Sequence, residues 1–494
     1  MRRDGLENIR PHRPPDVTDP AAHPIYLAGR WVDSPNRLTV TNPARPDEPA
    51  GATYFATPDQ YEEAVTAAEA AFERTRRLPA FERSAALRRI SSGIAARREE
   101  IGRLIATESG KPIRDALNEV DRAVLTFRIG AEEAERIGGE VIPLDLNPAS
   151  RGRTGITRRF PIGPIAAISP FNFPLNLAAH KLAPAIASGN PIVLKPPSKD
   201  PLTMLTVAEV IAEAGLPDGS VSILPMTREL GDRLVSDARF KLLTFTGSPD
   251  VGWKMKERAG KKKVVLELGG NAGVIVDATA DLDWAVRRVV SGAFSYAGQI
   301  CISVQRLFVH DAVREDFVGR FAEAARGLKV GDPLDPTTDV GPMVDAAAVA
   351  RTQEWVDEAR SMGGRALLGG TADGAFFPPT ILTDVPPSAR VCAAEAFAPL
   401  VVVSGFADFA DALRGVNDSR YGLQAGVFTN DLGHAWSAFE ELEVGGVVVN
   451  DVPTYRIDNM PYGGSKDSGT GREGVRYAIE DMTELRIMVL AGPG

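Results

Sequence analysis

The chain has 494 residues, too many for one simple core, and its 44% hydrophobic and 24% charged content is ordinary for a globular protein of two or three domains. Its formal charge of −9, from 56 basic against 65 acidic residues, argues against nucleic acid as a bulk electrostatic partner while leaving room for a local basic pocket. Two cysteines, Cys301 and Cys392, make no disulfide framework and fit a reducing compartment; five scattered histidines show no metal-ligand spacing, and no apolar run nears membrane-spanning length.

Residues 1–24 are polar and Pro-rich and lack the apolar stretch of a secretory signal, so a disordered lead-in to a cytoplasmic protein is expected. From about residue 57 to 137 the pattern is helical. Thr57-Pro58-Asp59-Gln60 has a hydroxyl for the N-cap, Pro in the first turn and Gln three residues after the cap, which predicts a capping box. Amphipathic stretches follow at 80–108 and 115–136. Short apolar strands then alternate with helices: strands at 165–168, 191–194, 221–224, 241–245 and 264–268, with helices at 175–188, ended by Gly189, and at 202–214, ended by Gly215. Such alternation implies a parallel sheet covered on both faces, which binds ligands at the carboxyl ends of its strands. Polar and Gly-rich residues gather there: Ile168-Ser169-Pro170-Phe171-Asn172, Lys195-Pro196-Pro197-Ser198-Lys199, Thr246-Gly247-Ser248 and Glu267-Leu268-Gly269-Gly270. A second alternating region, about 271–450, carries Cys301 and strands at 306–309, 400–403 and 446–449, and reads as a second α/β domain.

Four positions bear on chemistry. Cys301, in Gly298-Gln299-Ile300-Cys301, is a nucleophile if its pKa is lowered; taken alone, it is more often a small buried hydrophobe. Glu267 ends an apolar strand, where partial burial raises a carboxyl toward the neutral pKa of a general base; a solvated or salt-bridged strand end is the plain alternative. Asn172, between prolines, offers an amide to a developing oxyanion or simply steadies a turn. Gly247-Ser248-Pro249-Asp250-Val251-Gly252 sets backbone N–H groups and a hydroxyl at a helix N-terminus, where a pyrophosphate can bind.

Taken together, Phe171-Asn172-Phe173-Pro174, Val193-Leu194-Lys195-Pro196, Phe245-Thr246-Gly247-Ser248, Leu266-Glu267-Leu268-Gly269-Gly270, Gly298-Gln299-Ile300-Cys301, Glu395-Ala396-Phe397-Ala398-Pro399 and Pro461-Tyr462-Gly463-Gly464-Ser465-Lys466 resemble the aldehyde dehydrogenase superfamily in order and approximate spacing, from about residue 25 to the C-terminus. The resemblance implies oxidation of a small aldehyde to its acid with NAD or NADP and no metal. It implies Cys301 as the covalent nucleophile, Asn172 and the Cys301 N–H as oxyanion donors, and Glu267 as the base for thioester hydrolysis. Lys195 would bind the adenosine ribose, Ser248 the pyrophosphate and Glu395 the nicotinamide ribose, with Phe397 beside the ring; Ile168, Ser169, Pro170, Phe171, Ser198, Lys199, Gly247, Val251, Leu268 and Gly269 complete the expected cofactor set. Cys392 matches no functional position. The fold implied is α/β: a Rossmann-like cofactor domain (25–142 and 161–266), a second α/β catalytic domain (267–477) and a small β oligomerisation element (143–160 and 478–494) in a homodimer or homotetramer. Without membrane or nucleic-acid partners, the expected ligand is a small-molecule aldehyde.

Departures are informative. Ser198 stands where NAD-preferring members often have Glu, and Lys199 follows it, which permits NADP; Met226 replaces a glycine near the adenine. Arg122, Arg306 and Arg456 are candidates for an anion pocket. The surroundings of Arg122 and Arg456 are similar to those of lactaldehyde and non-phosphorylating glyceraldehyde-3-phosphate dehydrogenases, but Ile300 replaces the arginine that phosphate users often have before the nucleophile. Lactaldehyde, sulfolactaldehyde or succinate semialdehyde is therefore expected ahead of glyceraldehyde 3-phosphate. Glu267 disfavours a CoA-acylating enzyme, and the three retained catalytic positions disfavour a silent binding protein.

Overall fold

Thr57 opens the helical layer as its sequence predicts. The Thr57 hydroxyl accepts from the Gln60 N–H, the Gln60 amide oxygen accepts from the Thr57 N–H, and Pro58 starts the helix Pro58–Thr75. The computed structural model describes residues 21–491. Of the lead-in expected over residues 1–24, residues 1–20 lie outside the described residues. Residues 21–24 correct that expectation: Ala22 is buried, and the His23 N–H donates to the Ala52 carbonyl at 2.8 Å.

The amphipathic stretch at 80–108 is two helices, Ala80–Ala96 and Arg98–Ser109. Arg97 (φ −108°, ψ 23°) breaks it, its guanidinium tied to Glu100, Glu209 and the Thr206 carbonyl. The second helix ends at Gly110, in the left-handed region at φ 74°.

The first sheet has eight strands. Its centre runs Val221–Ile223, Ile192–Lys195, Ile165–Ile168, Leu242–Gly247 and Lys263–Leu268, all parallel. In chain order that is 3-2-1-4-5, so the winding reverses between Ile165–Ile168 and Leu242–Gly247, and a crevice opens at their carboxyl ends. These strands are buried on both faces, which accounts for their unbroken apolar runs. Short antiparallel strands flank them, Ile25–Leu27 with Arg30–Val32 on one side and Gly469–Thr470 on the other.

Only Gly269 to Ala272 separate the last central strand from Gly273–Val276, in a second sheet of seven strands. Its order is Arg365–Leu368, Thr380–Thr383, Leu400–Phe406, Arg306–His310, Gly273–Val276, Gln424–Phe428 and Gly446–Val449, parallel except at the first pair. A third, antiparallel sheet joins Val141–Pro143, Arg153–Pro161 and Thr483–Ala491. Among the described residues no helix is long and apolar enough to cross a membrane.

Candidate active site

Helix Leu282–Phe294 delivers the chain into a strained loop. Tyr296 (φ 49°), Ala297 (φ 52°) and Gly298 (φ 65°) are left-handed in succession. Two of the three carry side chains, so the conformation is unfavourable by about 1–2 kcal/mol at each and must be held from outside. The Tyr296 hydroxyl donates to the Ser109 carbonyl at 3.1 Å, and the Gln299 side chain accepts from the Val344 N–H at 2.8 Å. Gly298 is required, because a Cβ there would lie 2.1 Å from the Ala398 carbonyl oxygen. The loop presents Cys301 to a cavity of about 270 Å³ between the two sheets.

Asn172, Glu267 and Cys301 all line this cavity. Burial pushes the Cys301 thiol up to about 12, while the Tyr462 hydroxyl 3.1 Å from Sγ works the other way. Glu267 is 3% exposed, and neither carboxylate oxygen has a hydrogen-bond partner among the described residues. Burial raises its pKa well above the carboxylate range and Glu473 raises it further, against Arg456, Lys181 and Arg472. The Asn172 amide donates to the Gln299 carbonyl at 3.1 Å and is buried beside the nucleophile loop.

Behind Glu267 lies a charge network that sequence reasoning did not find. Lys181 Nζ donates to Glu473 at 3.1 Å and to Thr246 at 2.7 Å, and Arg456 Nη2 donates to Glu473 at 2.9 Å. Burial alone would raise the Glu473 carboxyl, but the charges of Lys181 and Arg456 bring it down to about 2. Arg456 is 6% exposed along its side chain, stacks 3.7 Å above the Tyr462 ring, and has no partner for its buried Nε among the described residues. A signal existed: His180 and Lys181 sit in Asn176–Ser188, a helix buried throughout and apolar apart from them and its two end residues, where a charge requires a partner.

The three arginines expected to form an anion pocket separate. Arg456 lines the cavity. Arg122 does not: it is forked onto Asp458 (2.6 and 3.3 Å), which also accepts from Asn176 and from His180 at 2.8 Å. Arg306 is a correction. Its guanidinium donates to the carbonyls of Asn271, Gly415, Val416 and Asp418 and is spent on the fold.

The expected cofactor residues follow the strand ends of the first sheet. Pro170, Phe171, Gly247, Ser248, Leu268, Gly269, Glu395 and Phe397 line the reacting cavity. Ile168, Lys195, Ser198 and Val251 line a neighbouring one of about 320 Å³. Ser169 is buried behind them, its hydroxyl unpartnered among the described residues. Lys199 pairs with Asp345 and lies 5.4 Å from the centre of the Phe171 ring, beside a third cavity that Ser198 also lines, and the Met226 side chain is core.

These residues fit a dinucleotide. Burial lowers Lys195 to about 8, and among the described residues its ammonium reaches only the Pro196 carbonyl at 3.4 Å, leaving donors for ribose hydroxyls. Ser248 caps helix Pro249–Arg258 without a side-chain capping bond, so its hydroxyl and the first-turn N–H groups remain for a phosphate. A Cβ on Gly269 would lie 2.1 Å from Glu395 Oε2, so glycine lets that carboxylate approach the strand end. Glu395 accepts from the Gly270 N–H at 3.1 Å, and burial raises it to about 7. Among the described residues no group of three His, Cys, Asp or Glu is placed to hold a metal ion.

Known proteins resemble this chain in sequence and fold. The 3-sulfolactaldehyde dehydrogenase of Priestia aryabhattai is 44% identical over 475 residues, 96% of this chain and 99% of that protein. A crystal structure of aldehyde dehydrogenase 21 from Physcomitrella patens, in complex with the reaction product succinate, superimposes with a TM-score of 0.94 at 46% identity, covering 96% of this chain and 99% of that one. A glyceraldehyde-3-phosphate dehydrogenase from Methanocaldococcus jannaschii, complexed with NADP, gives 0.89 at 39% identity over 92% and 99% of the two chains. Residues 31–488 match the family described as the aldehyde dehydrogenase family; the chain belongs to it and is an NAD(P)-dependent aldehyde oxidoreductase.

Proposed function

We propose that this enzyme oxidises a short aldehyde with a singly charged tail, a carboxylate or sulfonate, to the corresponding acid. One observation carries the reading: Arg456 is buried in the same cavity as Cys301 and Glu267, with Nε unpartnered among the described residues. Glu473 balances one guanidinium edge, and the remaining donors suit one anionic group. A phosphate dianion calls for a second cation, and Arg122 is committed to Asp458 while Ile300 supplies none. The succinate bound to the moss enzyme and the sulfonated substrate in the name of the Priestia relative both support this class. Succinate semialdehyde and sulfolactaldehyde are the first candidates, then the uncharged lactaldehyde, with glyceraldehyde 3-phosphate behind them.

In the proposed reaction Cys301 Sγ adds to the carbonyl carbon as the S–H bond breaks and its proton passes to solvent water. The Asn172 amide and the Cys301 N–H hold the resulting oxyanion. NAD(P), when bound along Lys195, Ser248 and Glu395, supplies the hydride acceptor. Collapse of the oxyanion leaves a thioester on Cys301. Glu267 takes a proton from water, the water oxygen attacks the thioester, and the acid leaves as the sulfur is released. A panel of succinate semialdehyde, sulfolactaldehyde, lactaldehyde, propanal and glyceraldehyde 3-phosphate, run with NAD and NADP, tests the reading. The highest kcat/KM is expected for a monoanionic aldehyde, and equal values for propanal overturn it.

We also propose a homodimer or homotetramer in the cytoplasm. Strand Thr483–Ala491 is the outer edge of its sheet, with Leu485, Ile487, Met488, Val489 and Leu490 about half exposed, an unpaired apolar edge that a second copy can cover. Sedimentation as a monomer removes the oligomer.

A further inference from the structure

We propose that Lys111, outside the cavity at Cys301, is a positioning residue that sets the Asn172 amide against the loop carrying the nucleophile. The inference rests on the oxyanion role proposed for Asn172 and names what holds that amide in place.

The Lys111 side chain is buried and lines neither the cavity at Cys301 nor the one at Lys195. Among the described residues its ammonium pairs with one group, the equally buried Glu119. The same ammonium lies 3.8 Å from the centre of the Phe173 ring and 4.6 Å from that of Tyr296. The two rings meet edge to face, their centres 6.5 Å apart. One cation therefore joins the residue after Asn172 to the first left-handed residue of the nucleophile loop. Ring faces attract a cation most strongly where water is excluded, as it is here.

Glu119 adds a second hold. One of its oxygens pairs with Lys111, and the other accepts from the Leu175 N–H at 2.9 Å and the Asn176 N–H at 3.1 Å, where helix Asn176–Ser188 begins. The backbone following Asn172 is thus fixed by the same ion pair. The loop is tied to the same place, since the Tyr296 hydroxyl donates to the carbonyl of Ser109, two residues before Lys111. Stability alone does not account for the pair: two buried charges lose their hydration, and apolar side chains of similar volume often serve as well or better. Position does account for it, because a catalytic group about 1 Å out of place can lose on the order of 10²-fold in rate.

A double variant, Lys111→Met with Glu119→Gln, tests this. It removes both charges, roughly keeps the volume and leaves the Gln oxygen for the two helix N–H groups. With the best aldehyde of the panel, kcat is expected to fall at least tenfold, while KM and ADP-ribose affinity change less than twofold. In an Asn172→Ala background the same two changes should cost less than twofold more, because the group they position is gone. Phe173→Leu, which keeps the ion pair and removes one ring, should show the same pattern with a loss of at least threefold, and decides the matter if the double variant does not fold. An unchanged kcat in a folded variant, or an equal loss with and without Asn172, overturns the assignment. If Asn172→Ala itself leaves kcat unchanged, the oxyanion reading falls and the inference with it; a loss there without one in the Lys111 and Phe173 variants removes the inference alone.

Discussion

The two cavities use charge in opposite ways. Around Cys301 the ionisable groups are buried and displaced from their ordinary pKa values: the thiol up to about 12, Glu267 raised, Glu473 down to about 2. Around Lys195 the cations Arg228 and Lys254 face solvent, unpaired among the described residues. Buried charges act at short range and are little screened by salt, whereas exposed ones act through a potential that salt weakens. The cavity at Cys301 thus holds its groups poised by desolvation, while in the proposed reading the cavity at Lys195 attracts an anionic ligand.

The sharpest way to separate the two is Cys301→Ala. Turnover is expected to fall at least ~10⁴-fold, as in other covalent mechanisms that lose the nucleophile. Binding of ADP-ribose in the other cavity, measured by calorimetry, should be unchanged; residual turnover near the wild-type rate removes Cys301 from its role.

Glu267→Gln comes next. Thioester hydrolysis should slow by ~10²–10³-fold while the first-turnover burst of reduced cofactor persists. Because burial raises the Glu267 pKa, its carboxyl is protonated at the acid end and ionises as pH rises, so hydrolysis should increase with pH and lose that rising limb in the Gln variant. Loss of the burst itself, or stoichiometric acyl-CoA formation when CoA is supplied to the unsubstituted enzyme, breaks the proposed release step.

Arg456→Ala should raise KM for an anionic aldehyde by ~10–100-fold, in the range expected for a buried charge-assisted contact, and leave propanal nearly unaffected. Equal effects on both substrates mean that Arg456 serves the Glu473 network instead.

The smallest effect sets the two regions directly against each other. Raising salt from 50 to 500 mM should weaken cofactor binding by roughly several-fold and change KM for the anionic aldehyde much less. Cofactor affinity should also decline as pH rises through about 8, where Lys195, its pKa lowered by burial, loses its charge. A salt response larger for the aldehyde than for the cofactor reverses the comparison.

Much of this protein was legible in its residues because the signals are local. The Thr57 capping box, the helix stop at Gly189 and the fully apolar strands follow from short-range backbone chemistry, and the structure bears them out, whereas the helix expected to run to residue 214 before Gly215 ends at Ala212 with Glu213 as its cap. Glu267, Asn172 and Cys301 were legible because ordered strand-end motifs place them at one end of the sheets. What the sequence could not decide is where long side chains go. Arg122, Arg306 and Arg456 are the same residue type in comparable polar contexts, yet one is forked onto Asp458, one satisfies four carbonyls and one enters the cavity. Ser198 borders two cavities, one shared with its neighbour Lys199 and one with Arg228, thirty residues away. The chain by itself determined the elements, the order of strand ends and the chemistry available at each. Only the tertiary structure decided which charges are buried, which are already paired and which remain free for a ligand, because partner choice depends on segments up to hundreds of residues apart.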